Sequence, residues 1–334
     1  MPNIALLSAA HIHTRGYLDH LSKMTDSRLV GIWDDVADRG RRYAAQYRTQ
    51  FEPELRKLIR RKDVDGFIIC AENTRHLPLL KAAIPARKPI FCEKPFVTST
   101  VQARTAMRMI RRYGTIVHMG YAMPFEKDMQ GVARVLAQGV LGTVTHVRMR
   151  NSHNAAYGRW FDSADLAWFT DPDLAGGGAF MDLGTHAVHL VRTLLGPVRR
   201  VFATIGNVSG AYPRVDDFGV AVFEFANGVR GVVEASWVQN GGICPLEIAG
   251  SRATLFDMPG TGLVTSVPKA APLPVPPGQM RPKRVDRLIA AIKGDVSRQE
   301  LDADLTAAAD AVAIMEACYK SAKLGKWVDV PIVG

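Results

Sequence analysis

The chain has 334 residues, too many for one compact core and about right for two domains. Hydrophobic residues make up 47% and charged residues 22%, the mix of a globular protein, and the apolar runs are far too short to span a bilayer. The net charge of +10 does not read as a nucleic-acid footprint: the basic residues are not interleaved with aromatics, many fall between Arg39 and Lys62 among acids, and an anionic cofactor would gain from the same field.

The N-terminus enters a strand at residues 4–7 with no basic region and long apolar segment before it, so no secretory signal is expected and a cytoplasmic protein is. Helix 15–24, strand 29–33, helices 36–47 and 54–61, strand 66–70, helix 75–84, strand 90–92, helix 101–112 and strand 116–119 follow. This alternation predicts an α/β fold: a doubly wound parallel sheet with helices on both faces over residues 1–122. In 123–334 the pattern changes. Helix 125–138 closes at Gly139, and long alternating strands follow at 143–151, 198–208, 218–225 and 229–237. Asn227-Gly228 signals a hairpin whose tight turn takes positive φ angles. Residues 268–282 are proline-rich and predict a surface loop, and a last helix over 302–323 stops at Gly325. This half reads as a largely antiparallel sheet with one or two helices. Cys70, Cys92, Cys244 and Cys318 are scattered without zinc or redox spacing, as reduced thiols would be.

The first strand, turn, helix and second strand form a βαβ unit, whose turn in a dinucleotide fold reads G-x-G-x-x-G. Here Ser8, Ala10 and His13 hold the three glycine positions. Pyrophosphate is held mainly by backbone N–H groups and the helix N-terminus, which survive the substitutions, and Ser8 and Ala10 are small. His11, Ile12 and His13 complete the turn; the histidines read equally well as phosphate or substrate contacts and as polar turn residues. Asp34, about 20 residues past the turn, suits ribose hydroxyls and repels a 2′-phosphate, which favours NAD. A helix cap explains Asp34 equally well, and Arg39, Arg41 and Arg42 leave NADP open.

Three further segments carry a resemblance. They are Asp65-Gly66-Phe67-Ile68-Ile69-Cys70 with Asn73 and His76; Phe91-Cys92-Glu93-Lys94-Pro95; and Gly176-Gly177-Gly178-Ala179-Phe180-Met181-Asp182-Leu183-Gly184-Thr185-His186. Together they resemble the glucose–fructose oxidoreductase, inositol dehydrogenase and rhizopine-catabolism family (Gfo/Idh/MocA), over essentially the whole chain to Gly325-Lys326-Trp327-Val328. The resemblance implies a Rossmann domain and a C-terminal α/β domain with an open, mostly antiparallel sheet that joins a homodimer or homotetramer. It implies NAD-dependent hydride transfer at a sugar, cyclitol or related alcohol carbon. Asn73, His76 and Glu93 would line the nicotinamide side, and Lys94, Asp182 and His186 would form the catalytic set. Three departures stand out: the glycines are gone, His189 replaces the family's usual acid, and 121–124 lacks an arginine.

Alcohol oxidation needs a group that takes the hydroxyl proton, and Lys94 suits this role beside a cationic nicotinamide. Pro95 restricts Lys94 to an extended backbone. Asp182 and His186 share a helix face if a helix starts after the glycines, the carboxylate orienting and the imidazole acting as acid or base. With His189 they also have metal-ligand spacing, but no further ligand is evident and no metal is expected. His153, Tyr157, Arg159 and Trp160 could shape a sugar pocket. Two rival readings remain: a non-catalytic relative that lost the cofactor, and a lyase or hydrolase that keeps a dinucleotide tightly bound.

Overall fold

The computed structural model describes residues 1–243 and 245–333; Cys244 lies outside them. Cys70, Cys92 and Cys318 are free, buried thiols.

The first sheet is built from β1 (Asn3–Ala9), β2 (Arg28–Trp33), β3 (Gly66–Cys70), β4 (Ile90–Cys92) and β5 (Val117–Met119), all parallel in the order β2-β1-β3-β4-β5. The helices between them are α1 (Thr14–Lys23), α2 (Ala37–Gln46), α3 (Leu55–Arg60), α4 (His76–Ala83) and α5 (Thr100–Tyr113). Alternation along β1 sends Ile4 and Leu6 to one face, where Tyr17, Leu18 and Leu21 of α1 pack. Ala5 and Leu7 face the other way, against α3, α4 and α5. Both faces are covered, as the near-continuous apolar strands require.

The second half starts with α6 (Lys127–Ala137), β6 (Val144–Ser152), a short α7 (Pro172–Ala175) and α8 (Thr185–Leu195). Then come β7 (Val198–Gly206), β8 (Phe218–Phe225), β9 (Arg230–Ser236), β10 (Leu246–Gly250), β11 (Thr254–Met258), β12 (Gly262–Ser266) and β13 (Leu273–Pro274). After α9 (Arg284–Lys293) and α10 (Arg298–Leu324) the chain ends on β14 (Val328–Asp329). The sheet order is β13-β12-β11-β10-β6-β9-β8-β7-β14. Its pairs are antiparallel except β6 with β9, which makes the sheet mixed.

The hairpin between β8 and β9 forms where expected, with a different turn. Gly228 alone of the Asn-Gly pair has positive φ, at 90°. Gly228 N–H bonds Phe225 O at 3.1 Å, and Phe225 N–H bonds Val229 O at 3.0 Å, which is a turn closed by one left-handed glycine. Two helices also exceed expectation. α10 begins at Arg298 because Ser297 Oγ accepts the Glu300 N–H at 3.2 Å. α9, just past the proline-rich loop, packs Val285, Leu288 and Ile289 into the apolar cluster on the α1 face of the first sheet, against β3 and β4. Gly66 lets it approach: a Cβ there would stand 2.8 Å from Ile292 Cδ1.

Candidate active site

The site gathers at the C-terminal edge of the first sheet, where parallel α/β sheets place their ligands. Ser8 turns the chain with φ 68°, the left-handed region that a glycine would occupy at less cost. His11 N–H bonds Cys70 O at 2.9 Å. Among the described residues, the N–H groups of Ala10 and Ile12 have no partner, and α1 begins at Thr14 with no side-chain cap. Free amides before a helix N-terminus, beside small side chains, fit a dinucleotide phosphate. His11 Nδ1 accepts the His13 N–H at 3.2 Å, while its buried Nε2 has no partner.

At the adenosine end the geometry differs from the sequence expectation. Asp34 accepts the Ala9 N–H at 2.7 Å and the Val36 N–H at 2.8 Å. It also accepts Arg39 Nε at 2.9 Å and Nη2 at 2.8 Å. Its carboxylate is therefore saturated and neutralised inside the protein, so charge repulsion of a 2′-phosphate no longer follows from this residue. It does not cap α2 either, whose cap position is Val36. Arg41 pairs with Asp38 and Arg42 with Asp165 at the surface.

The chemistry concentrates after β4. Glu93 is buried; its Oε1 accepts the Tyr17 hydroxyl and lies 3.1 Å from His13 Nδ1, and its Oε2 accepts the Lys94 N–H at 2.8 Å. Burial works against its charge, but the neighbouring histidines and Lys94 outweigh that and hold the carboxyl well below its ordinary range. Gly120 leaves room for this carboxylate: a Cβ there would stand 2.8 Å from Glu93 Oε2, so a larger residue would have to push the carboxylate aside. The Lys94–Pro95 bond is cis. Lys94 Nζ donates to Asp182 Oδ1 at 2.6 Å and to Asp182 O at 3.2 Å, and Trp237 Nε1 donates to Asp182 Oδ2 at 3.0 Å. Burial alone would raise the Asp182 carboxyl; the Lys94 ammonium reverses this and holds it low.

Asp182 belongs to a wide π turn, Phe180–Gly184, that runs straight into α8 and so puts His186 one turn on. The glycine run is what lets this turn sit there. Asp216 accepts the N–H groups of Gly178 and Phe180 at 2.7 and 2.8 Å, and a Cβ on Gly178 would meet Asp216 O at 1.8 Å. His186 has no hydrogen-bond partner among the described residues and packs edge-on against Tyr121 at 5.8 Å. Burial, then the Lys94 charge, pushes its pKa well below the ordinary histidine value, so it is neutral near pH 7.

The fold thus brings His11, His13, Glu93, Lys94, Asp182 and His186 together. His153, whose pKa is lowered by burial, feels both Asp182 and Lys94 and stacks on Trp160 at 4.6 Å. Trp160 is 44% exposed, which puts that pair at the rim. Tyr157, at 52% exposed, makes no hydrogen bond or ring contact among the described residues. Arg159 turns to Asp162 and Ala211 O. Asn73 donates to Ala175 O at 2.8 Å and leaves Oδ1 buried without a partner. His76 has its nitrogens 2.7 Å from Pro95 O and 3.2 Å from Ala71 O, which leaves none for a ligand. His189 lies flat on Tyr121 at 3.9 Å, with Nε2 3.9 Å from Asp304, and forms no metal-ligand group with Asp182 and His186 among the described residues.

Sequence reasoning missed Trp237, Tyr17 and Asp216, each distant along the chain from what it holds. It also missed a strap over 163–175 that crosses the same sheet edge. Asp165 pairs with Arg42 at 2.5 Å, and Trp168 Nε1 donates to Ala10 O at 3.0 Å. Asp173 O accepts the Thr74 hydroxyl at 3.0 Å, and Ala175 O accepts Asn73. Trp168 and Phe169 also pack on the His11 ring.

Residues 7–121 match the family model described as an oxidoreductase family with an NAD-binding Rossmann fold, and residues 129–256 match the GFO/IDH/MocA C-terminal domain. The chain is 24% identical over 229 residues to the uncharacterized oxidoreductase YrbE of Bacillus subtilis, covering 66% of this chain and 63% of that protein, under two thirds of its length. It is 24% identical over 252 residues to the D-glucoside 3-dehydrogenase of Escherichia coli, covering 73% of this chain and 69% of that one. Among solved structures, an inositol dehydrogenase homolog from Azotobacter vinelandii, complexed with NAD+, superposes with a TM-score of 0.82 at 21% identity over 98% of this chain and 97% of that one. No helix among the described residues is long and apolar enough to cross a membrane.

Proposed function

The chain belongs to the Gfo/Idh/MocA oxidoreductase family, with an NAD-binding Rossmann sheet, and on that premise we propose that it moves a hydride to or from a carbinol or carbonyl carbon of a sugar, cyclitol or related polyhydroxylated molecule. The observation that supports this reading best is the Lys94–Asp182 pair at 2.6 Å, with the carboxylate held in turn by Trp237. A bound nicotinamide supplies or takes up the hydride. In the reducing direction the Lys94 ammonium gives a proton to the oxygen that gains negative charge, and Asp182 keeps the ammonium aimed. In the oxidising direction the amine takes the hydroxyl proton. Neutral His186, unpartnered within the chain, accepts or donates to the same or a neighbouring hydroxyl. His153 and Trp160 give the rim an imidazole and an aromatic face of the kind sugars pack on.

The cofactor side is assigned to Ser8, Ala10, His11, Ile12, His13, Asn73 and Glu93, with the Ala10 and Ile12 amides facing phosphate. Residues 1–122 would form the dinucleotide-binding domain and 123–334 the substrate and assembly domain, α9 returning to cover the first sheet. The outer face of the second sheet, with Phe202 and Val222 exposed beside the Glu224 arginine cluster, is assigned to a homodimer or homotetramer contact. Sedimentation showing only monomer would remove that assignment.

Lys94→Ala should lower turnover of an active sugar or cyclitol by about 10²–10⁴-fold while leaving NADH affinity within a few-fold. Unchanged turnover would remove Lys94 from the mechanism. The saturated Asp34 favours one rival, a relative without cofactor, and calorimetry of nucleotide-free protein with NADH separates the two.

A further inference from the structure

The proton chemistry above does not use the two turn histidines, which the proposed function places only on the cofactor side. We propose that His11, His13 and Glu93 form a binding site for one divalent transition-metal ion of the zinc class. One nitrogen from each histidine and one Glu93 oxygen lie within 4.8 Å of one another. His13 Nδ1 and Glu93 Oε1, at 3.1 Å, already stand about as far apart as two ligands on one tetrahedral ion with bonds of about 2.0–2.2 Å. The second observation is independent of that spacing. His11 is 2% exposed, and its Nε2 has no partner in the chain. A buried imidazole nitrogen is costly to leave unsatisfied and points to something bound there.

The donor set selects the ion. Two imidazoles and one carboxylate, with a fourth position open, suit zinc or its neighbours; calcium and magnesium prefer all-oxygen sites. Groups around the site hold the carboxylate as metal sites require. The Tyr17 hydroxyl donates to Glu93 Oε1, and the Lys94 N–H donates to Oε2 at 2.8 Å. Of the three ligands, His13 lines a cavity of about 400 Å³, together with Tyr17, Lys283, Arg284 and Asp286. Ligation has one structural consequence. Whichever His11 nitrogen binds, the 3.2 Å bond from the His13 N–H is given up, because Nδ1 then carries either the ion or the proton. The Lys94 ammonium opposes a cation here, while Asp182 screens it. These three residues are not the Asp182, His186 and His189 set that the sequence spacing suggests. The proposal goes beyond the hydride reaction and does not rest on it.

The test uses tag-free, full-length protein stripped of metal and nucleotide, titrated with Co²⁺ and separately with Zn²⁺. The expected result is one ion per chain, with visible cobalt absorption of tetrahedral type. Affinity should fall about tenfold or more in His13→Ala and in Glu93→Gln. It should be unchanged in His20→Ala, an exposed histidine paired with Asp286. Circular dichroism identifies a variant that fails to fold; His13 is partly exposed, so His13→Ala serves where Glu93→Gln does not fold. No cobalt band and no retained zinc would overturn the proposal, as would stoichiometric zinc that survives His13→Ala. An NADH titration of the same preparation reports on the oxidoreductase reading separately.

Discussion

Asp34 accepts four hydrogen bonds from its own chain, two of them from a buried arginine. Removing it leaves the Arg39 charge buried with only Asp35 and Glu72 at 3.3 and 3.5 Å. Asp34→Ala should therefore lower the unfolding free energy by about 3–5 kcal/mol with no nucleotide present. An unchanged urea midpoint would return Asp34 to a purely ligand-facing role. A second consequence is a pH dependence. Burial, then Arg287, pushes His118 down to about 3, and burial, then Arg192, pushes His189 down to about 3. Both take up protons near pH 6.5 only when unfolded, so the stability they confer is full above about 6.5 and is lost as pH falls toward 3, at about 1.4 kcal/mol per pH unit each. Asp304, raised by burial to about 6, acts in the opposite sense between about 6 and 3.8 and offsets roughly one of the two. His118→Phe should make the loss of stability between pH 7.5 and 5 shallower by about one proton. An identical slope would show that His118 does not titrate on unfolding. Lys94, Asp182 and His186 were legible through the family resemblance, with Asp182 set to orient His186; in the structure the Asp182 carboxylate instead binds Lys94 and Trp237, two partners far away along the chain. Asp34 was read incompletely because the partner that saturates it, Arg39, approaches only once α2 has formed.

At the scale of elements, α10 carries more of the architecture than its sequence announces. Leu305, Ala308, Ala309, Val312 and Ala313 face the first sheet and α5, while Ala311, Ile314, Met315, Ala317 and Cys318 face the second half. A helix clamped on both sides has room only for small side chains on its closest faces. Ala313→Leu should destabilise the fold by about 1–3 kcal/mol through overpacking, read as a lower urea midpoint. A neutral result would mean that the helix has slack where it is fully buried. The alternating strands and helices of the first sheet were legible because each side of the strands is apolar. The start of α10 was also written in Ser297 and Glu300, a capping pair easily passed over between charged residues. α9 was not, because its apolar positions have meaning only against a sheet formed by the other end of the chain.

For the whole molecule, the strap over 163–175 ties the two halves together across the edge that carries the site. Its contacts run from Arg42 through Ala10 to Asn73, and no local pattern in 163–175 foretells them. Trp168→Ala removes the bond to Ala10 O and the ring contact with His11, and should speed dissociation of bound NADH about 5–30-fold, measured by displacement. An unchanged rate would show that the strap does not guard the turn. The strap also bears on traffic. The strap's tryptophan, its aspartate–arginine pair and its two carbonyl contacts fix it to the same sheet edge as the free amides of Ala10 and Ile12. If the strap guards those amides, its four anchors set how fast a coenzyme exchanges, and residence time becomes a property of the tertiary fold more than of the turn that binds it.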